Sequence, residues 1–289
     1  MSRQSIVSFV KSVYSGEVIE NSTTVLAPYS LSIFIPERQL CIEFCDLTVD
    51  SSINPSFQKN LNRDKALVAQ KHNYKFFLFF SDEWRNKQQL VQQMIKYRLG
   101  LVTNKIYTRK CVVKEYSKAR ELKEFFMNNH IDGYSNSTKG FALLCNDIVM
   151  AAMTLRTNHQ SEIEICRFAT NGNYVVPGAG SKLISLLPRP ITTFSNNRLS
   201  SGEIYKNNGF EEITRTISPS YYYTDFETRV WRYKCKRLNP PDKISQEDFD
   251  KYPTEYSQAI NGIFSRKIFG DERPVYRIED CGHRKWVLK

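Results

Sequence analysis

Three carboxylates lie close together near residue 45, and their spacing is the first pattern in the sequence that suggests chemistry. Asp46 and Asp50 follow Glu43 by three and seven residues. Hard oxygen ligands of this kind can hold a divalent cation against a phosphodiester during metal-assisted hydrolysis. The alternative for the two aspartates is turn formation, in which their side chains accept bonds from nearby amides. Glu43, Asp46 and Asp50 are therefore the candidate catalytic residues of any nuclease activity.

Other potential ligands are explained more simply. Asp82 and Glu83 open a helical pattern after the apolar run 76–80, so helix capping is favoured over metal ligation. Cys281 and His283 form one pair of possible ligands, and a structural zinc site needs a second pair. We predict no metal site, with Mg²⁺ as the cofactor only if the chain is an active nuclease.

Several short segments resemble one family over nearly the whole chain. They are Ile35-Pro36, Ile42-Glu43-Phe44, Asp82-Glu83-Trp84, Ile106-Tyr107-Thr108-Arg109-Lys110-Cys111, and Asp280-Cys281-Gly282 followed by Lys285-Trp286. This set resembles phage-encoded homing endonucleases whose nuclease domain is of the very-short-patch-repair type, similar to PD-(D/E)XK enzymes. In that family the position of Ser32 typically holds Asp, and a Trp-His pair stands where this chain has Val49-Asp50. A hydroxyl is a poorer metal ligand than a carboxylate, so the resemblance implies a nuclease frame that has lost its metal site.

Periodicity predicts the elements that carry these residues. Residues 6–14 form a helical pattern, strands are predicted near 30–35 and 40–45, and a basic helix is predicted near 56–71. The aromatic run 76–80 is typical of a buried strand, and a helix follows up to Arg98. This order predicts an α/β (α+β) fold with a mixed sheet. The predicted division is an N-terminal helix (1–24), a degenerate nuclease-like domain (25–105), an acetyltransferase-like domain (106–239) and a tail (240–289) packing on that second domain.

The second half resembles Gcn5-related N-acetyltransferases. A predicted helix over 118–128 precedes strands at 141–145, 148–153 and 163–168, and then the segments 177–183 and 201–210. The resemblance implies that Gly178 and Gly180 present amides to the pyrophosphate of coenzyme A, with Tyr205 as general acid. Val175 replaces the usual Gln or Arg, and Pro177 lacks an amide hydrogen. We therefore predict no bound coenzyme A, and a Tyr205 ring packed beside Phe210.

Charge favours a polyanionic partner. The chain has 41 Lys and Arg against 30 Asp and Glu, a formal net charge of +11, which suits nucleic acid. Aromatic and cationic residues alternate in the predicted strand 228–234, where they suit unstacked bases. The alternative for the cations is a solvated, charged helix face, and the alternative for the rings is packing within the sheet. The predicted nucleic-acid-binding residues are Lys105, Arg109, Lys110, Lys114, Arg229, Trp231, Arg232, Lys234, Lys236 and Arg237.

Seven cysteines without a CxxC pair favour free thiols in a reducing cytoplasm, here that of a bacterial host. No apolar run approaches the roughly 20 residues of a membrane span, so we expect no membrane partner.

Together these patterns predict a non-catalytic phage protein that binds nucleic acid. RNA is preferred over DNA, and structured host RNA in a ribonucleoprotein such as the ribosome is the favoured target. A Mg²⁺-dependent DNA homing endonuclease is the alternative, and an N-acetyltransferase is the third hypothesis.

Overall fold

The computed structural model describes residues 3–158, 162–235, 237–240, 244–268 and 270–289. Its α-helices are α1 Arg3–Val13, α2 Leu61–Lys71, α3 Ser81–Asn86, α4 Gln88–Leu99, α5 Lys123–Asn129, α6 Ala179–Ile184, α7 Glu203–Lys206, α8 Gln246–Lys251, α9 Glu255–Ile260 and α10 Ile263–Ile268. Its strands are β1 Ile19–Leu26, β2 Tyr29–Ile35, β3 Leu40–Cys45, β4 Lys75–Phe80, β5 Val112–Tyr116, β6 Lys139–Cys145, β7 Ile148–Thr157, β8 Ile163–Thr170, β9 Ile191–Asn196, β10 Glu211–Glu212, β11 Tyr221–Thr224, β12 Arg229–Trp231, β13 Tyr276–Glu279 and β14 His283–Leu288. The predicted mixed α/β fold class is confirmed.

The first sheet has the strand order β1-β2-β3-β4. Strands β1 to β3 are antiparallel neighbours, whereas β3 and β4 run parallel because helix α2 returns the chain to the same edge. Every residue of β3 is buried, since helices cover both faces of this strand pair. Helices α1 and α4 pack on one face, and α2 packs on the other. This arrangement fixes Glu43 in the middle of a buried strand.

The second sheet has seven strands in the order β10-β14-β9-β8-β7-β6-β5. All neighbours are antiparallel except β8 and β9, which pair in parallel through Ile163–Ile165 and Ile191–Thr193. Strand β14 lies between β9 and β10 although about 70 residues separate β10 from β14 in sequence. The segment 213–282 is therefore an insertion whose two ends meet in one sheet.

That insertion contains a third sheet, ordered β12-β11-β13, together with helices α8 to α10. Tyr223, Phe264 and Val275 belong to its own small core. Ile278 and Cys281 pack instead into the core of the first sheet. The predicted tail, 240–289, thus contributes to the third sheet through β13 and to the second sheet through β14.

Four predicted elements differ from the structure. The helix predicted over 118–128 begins as a 3₁₀ helix, Ala119–Leu122, and continues as α5. The helix expected to run to Arg98 is divided at Lys87 into α3 and α4, and the helix expected from residue 56 begins at Leu61. The strand expected over 228–234 ends at Trp231, where the chain turns into a 3₁₀ helix. The alternation of rings and cations on opposite strand faces therefore does not extend past Trp231.

Candidate functional site

Glu43 is held by donors from two elements. One carboxylate oxygen accepts hydrogen bonds from the Ser32 backbone N–H at 2.9 Å and the Ser32 hydroxyl at 3.1 Å. The other accepts from the Lys65 ammonium at 2.8 Å. Glu43 and Lys65 are only 4% and 5% exposed, so the pair is desolvated. The Lys65 charge and the two Ser32 donors compensate the carboxylate without any bound cation.

The two aspartates after Glu43 have different surroundings. The Asp46 side chain accepts from the amides of Thr48 and Val49 at 2.8 and 3.1 Å, which is turn formation. Asp50 accepts from the Asp46 amide at 2.6 Å, and burial raises the pKa of its carboxyl. Asp50 and Glu43 line the same cleft of about 330 Å³. Over the described residues, no group of three or more His, Cys, Asp or Glu side chains is placed to hold a metal ion.

Lys65 is a residue of this centre that the sequence analysis missed. It lies on α2, which covers the sheet face that Glu43 shares with Cys41 and Cys45, and it is 22 residues from Glu43 along the chain. Lys65 directly precedes the buried Ala66, and a lysine in a basic helix carries no sign that it faces inward.

A second buried ionic cluster contains residues from the regions of all three sheets. Arg198, fully buried, donates to both Glu83 oxygens at 3.0 Å and to Asp132 at 2.8 Å. Arg229 donates to Asp82 at 2.8 and 3.0 Å and to Glu83 at 2.8 Å. Burial opposes the charge of both arginines, but the carboxylates outweigh it and raise the pKa of each guanidinium.

This cluster corrects two sequence interpretations. Glu83 does cap α3, since it accepts from the Phe80 amide at 3.1 Å, but it also anchors both arginines. Arg229 lies 3.7 Å from the centre of the Phe80 ring, measured from its guanidinium carbon, and its side chain is about 10% exposed. Arg229 is therefore turned inward and is not placed to contact a phosphate, contrary to the sequence prediction.

Cations of the connector, which we define as residues 104–116, are placed differently. Lys105, Arg109, Lys110 and Lys114 are all exposed. Tyr107, 42% exposed, has Lys105 and Arg109 at 5.0 and 5.2 Å from its ring centre. The connector therefore presents an accessible ring between two cations, with further cations along the same segment.

The aromatic residues at the end of the predicted strand 228–234 are also exposed, but they do not lie on one face of a strand. Trp231 and Tyr233 are 44% and 69% exposed, and their ring centres lie 5.9 Å apart. Arg232 is committed to Glu255, with donor–acceptor distances of 3.0 to 3.3 Å.

The remaining predicted cations of this region have mixed placements. Lys234 is exposed, and the exposed Arg237 has its guanidinium 4.8 Å from the Phe249 ring centre. Lys236 lies outside the described residues. Trp231, Tyr233 and Lys234 thus form a smaller second group.

The connector contacts the chain on both sides of the turn at Gly178 and Gly180. Val175, just before this turn, donates to the Asn104 carbonyl at 2.8 Å and accepts from the Ile106 amide at 3.0 Å. Gly178 itself has φ +76°, which favours glycine. Helix α6, which follows, has only six residues and directs its Lys182 ammonium to the Thr108 and Cys111 carbonyls at 2.8 and 2.9 Å. The turn is thus held between the connector and α6.

Tyr205 is packed, as expected. Its ring meets Phe210 edge to face at a centroid distance of 5.5 Å and lies 6.2 Å from Trp286 of β14. Burial raises the pKa of its hydroxyl, with a hydrogen bond to Thr193 opposing the shift. The described geometry gives Tyr205 a core position.

No protein-family model matches the sequence, and no curated protein matches it by sequence search. Similar solved structures include a Bacillus anthracis protein assigned as a streptothricin acetyltransferase, in complex with acetyl coenzyme A. The identity is 11% and the TM-score 0.27, over 57% of this chain and 66% of that chain, just under two thirds of its length. Another is the ribosomal-protein-S18-alanine N-acetyltransferase of Escherichia coli, at 17% identity and a TM-score of 0.32, over 41% of this chain and 88% of that one. Similarity of this degree carries no functional argument.

No helix in the described part of the chain has both the length and the apolar character needed to cross a membrane.

Proposed function

We propose that this protein binds nucleic acid, with RNA preferred, through its connector and without cutting it. The observation that carries the proposal is the exposed Tyr107 ring between Lys105 and Arg109. A ring flanked by cations suits an unstacked base and its neighbouring phosphates. The overall charge of +11 supplies the long-range attraction that a polyanion needs. Structured RNA within a ribonucleoprotein, including ribosomal RNA, is the target that we favour.

The state of Glu43 supports binding without cleavage. In metal-assisted hydrolysis, carboxylate oxygens face the cation and the scissile phosphate. Here Ser32 and Lys65 already occupy both oxygens of Glu43. Asp46 is engaged with turn amides. Glu43, Ser32 and Lys65 thus act as an internal support of the sheet.

Acetyl transfer is less well supported. The Gly178 turn and Tyr205 carry the sequence resemblance, but Tyr205 is in the core, where it is not placed to act as a general acid. We expect coenzyme A and acetyl coenzyme A to leave the melting temperature unchanged, because a molecule that does not bind the native state cannot stabilise it. A saturable rise with either molecule would instead favour an acetyltransferase.

The test of nucleic-acid binding is a charge reversal with a matched control. Arg109→Glu combined with Lys110→Glu alters two exposed connector cations. Lys71→Glu combined with Lys75→Glu makes the same change in net charge at two exposed residues of the first-sheet region. Affinity for a labelled single-stranded RNA, and for its DNA equivalent, is measured by fluorescence anisotropy over a range of salt concentrations.

We expect wild-type affinity to fall steeply with salt because each neutralised phosphate releases counterions. The connector variant should bind more weakly, with a salt slope lower by about one unit for each lost phosphate contact. The control should retain most of its affinity. Equal losses in both variants would show attraction by net charge alone, and unchanged affinity in both would contradict the proposal and favour a protein partner.

A further inference from the structure

A large cleft beside the connector has an unusual lining. It measures about 1090 Å³ and lies between helix α4, residues 101–104, the end of α5 and the loop 171–173. Ten of its eighteen lining residues are asparagine or glutamine, two are lysine, and none of these described residues carries a carboxylate. We call it the amide cleft. Its chemistry offers many paired hydrogen-bond donors and acceptors without repelling an anion.

Part of this lining has a structural task. Asn129 accepts from the Gly172 amide at 3.0 Å, and Asn171 donates to the Val149 carbonyl at 3.3 Å. Gln93 donates to Asn173 at 2.8 Å. These bonds hold the loop 171–173 as one wall of the cleft.

Other amides remain available to a ligand. Among the residues described, the side chains of Gln92, Asn104 and Asn128 make no hydrogen bond to the protein, and all three line the cleft. Leu101 and Met127 line it too, with exposed fractions of 39% and 48%. The cleft thus combines unused amide groups with accessible apolar surface.

This combination suits a nucleobase. A base has a flat apolar face and an edge with adjacent donors and acceptors, and an Asn or Gln amide can pair with both edge groups of adenine. Unstacked bases in single-stranded RNA expose those edges to protein side chains.

Asn104 directly precedes Lys105 of the connector. A strand whose phosphates contact the connector therefore passes beside the cleft. We propose that the amide cleft binds unstacked bases of single-stranded RNA, adenine foremost, an inference that rests on the proposed nucleic-acid binding by the connector.

The test separates base contacts from phosphate contacts. The probes are a labelled oligoadenylate of roughly eight nucleotides, the matching oligomers of the other three bases, and an abasic oligomer with the same backbone. The cleft variant combines Gln92→Met with Asn128→Leu, which remove the amides at nearly constant volume. Asn136→Leu, an exposed amide outside the cleft, is the matched control.

We expect the wild type to bind oligoadenylate about tenfold or more tightly than the abasic probe. The cleft variant should lose most of that ratio and keep its affinity for the abasic probe, which also shows that it is folded. The control should behave as the wild type, whereas the connector reversal should weaken binding of every probe.

Two outcomes would overturn the inference while leaving the proposed function intact. One is equal wild-type affinity for oligoadenylate and the abasic probe, and the other is a cleft variant that retains the wild-type ratio. Preference for another base would overturn the assignment of adenine. If the connector reversal weakened no probe, the proposed function itself would fail, and the inference with it.

Discussion

Arg198 offers the sharpest test of how the regions of the three sheets are held together. In Arg198→Met a fully buried guanidinium is replaced by an apolar side chain of similar length. Asp132 would then lose its ion pair with Arg198, and Asp82 and Glu83 would share the guanidinium of Arg229. Breaking a buried ion pair by removing one partner costs about 3–5 kcal/mol, because the remaining charge stays desolvated.

The lower part of that range applies here. Glu83 keeps its bond to Arg229, and Asp132 is about one third exposed, so water can replace part of its lost contact. We therefore expect a loss of about 3 kcal/mol in the free energy of unfolding. With a denaturant dependence near 3 kcal/mol per molar urea, the unfolding midpoint should fall by about 1 M. Urea titration followed by tryptophan fluorescence and circular dichroism measures this shift.

Two controls define the result. Arg156→Met removes an exposed pair in which Arg156 lies 2.6 Å from Glu164, and should cost at most about 1 kcal/mol. Adding Glu83→Gln to Arg198→Met removes one of the two carboxylates that Arg198 neutralises, so the two changes should cost less together than their separate losses predict. A loss below about 1 kcal/mol for Arg198→Met, or strict additivity in the pair, would refute the view that this cluster is a desolvated and coupled network.

Two further outcomes are expected. Purified protein should leave duplex DNA intact with Mg²⁺ or Mn²⁺ in a gel assay. Ser32→Asp should not cleave either, because one new carboxylate neither restores the Trp-His pair that is replaced by Val49-Asp50 nor frees Glu43 from its present donors. Specific cleavage that disappears in Glu43→Ala would favour an active endonuclease. Burial lowers the pKa of His130 to about 4, below its unfolded value near 6.5, so its stabilising contribution is complete above pH 6.5 and decreases as the pH falls towards 4. The melting temperature should therefore fall over that window and fall less in His130→Gln, and equal slopes for the two proteins would assign the acid sensitivity to other groups.

The sequence predicted local elements better than it predicted their partners. The aromatic run 76–80 is a strand as predicted, because a strand buried on both faces has a continuous apolar pattern, and the Ile42-Glu43-Phe44 segment lies in a strand too. The contact of Lys65 with Glu43 was not foreseen, since a lysine in a basic helix carries no sign of facing inward. Arg198 and Glu83 are 115 positions apart, so only the packing of different sheets brings them together.

The predicted interface shows the same limit. The exposed connector cations and Arg229, whose side chain is largely buried, both belong to basic stretches of sequence. Their exposure differs because Arg229 forms ion pairs with Asp82 and Glu83 of α3. The amide cleft had no signal either, since its lining residues come from three separate regions of the chain, 86–104, 127–129 and 171–173.

The position of β14 has a consequence for how the protein reaches its native state. Its pairs join Glu211 to Val287 and Glu212 to Trp286, so the second sheet closes through contacts of very long sequence separation. Such closure is slow, because the intervening chain must lose its freedom before the contact forms. Until β14 arrives, β9 exposes an unpaired edge that the same strand of another copy can fill. We therefore expect refolding to compete with strand exchange between copies, so that the monomer yield falls as protein concentration rises and size-exclusion chromatography detects dimers that separate only on unfolding.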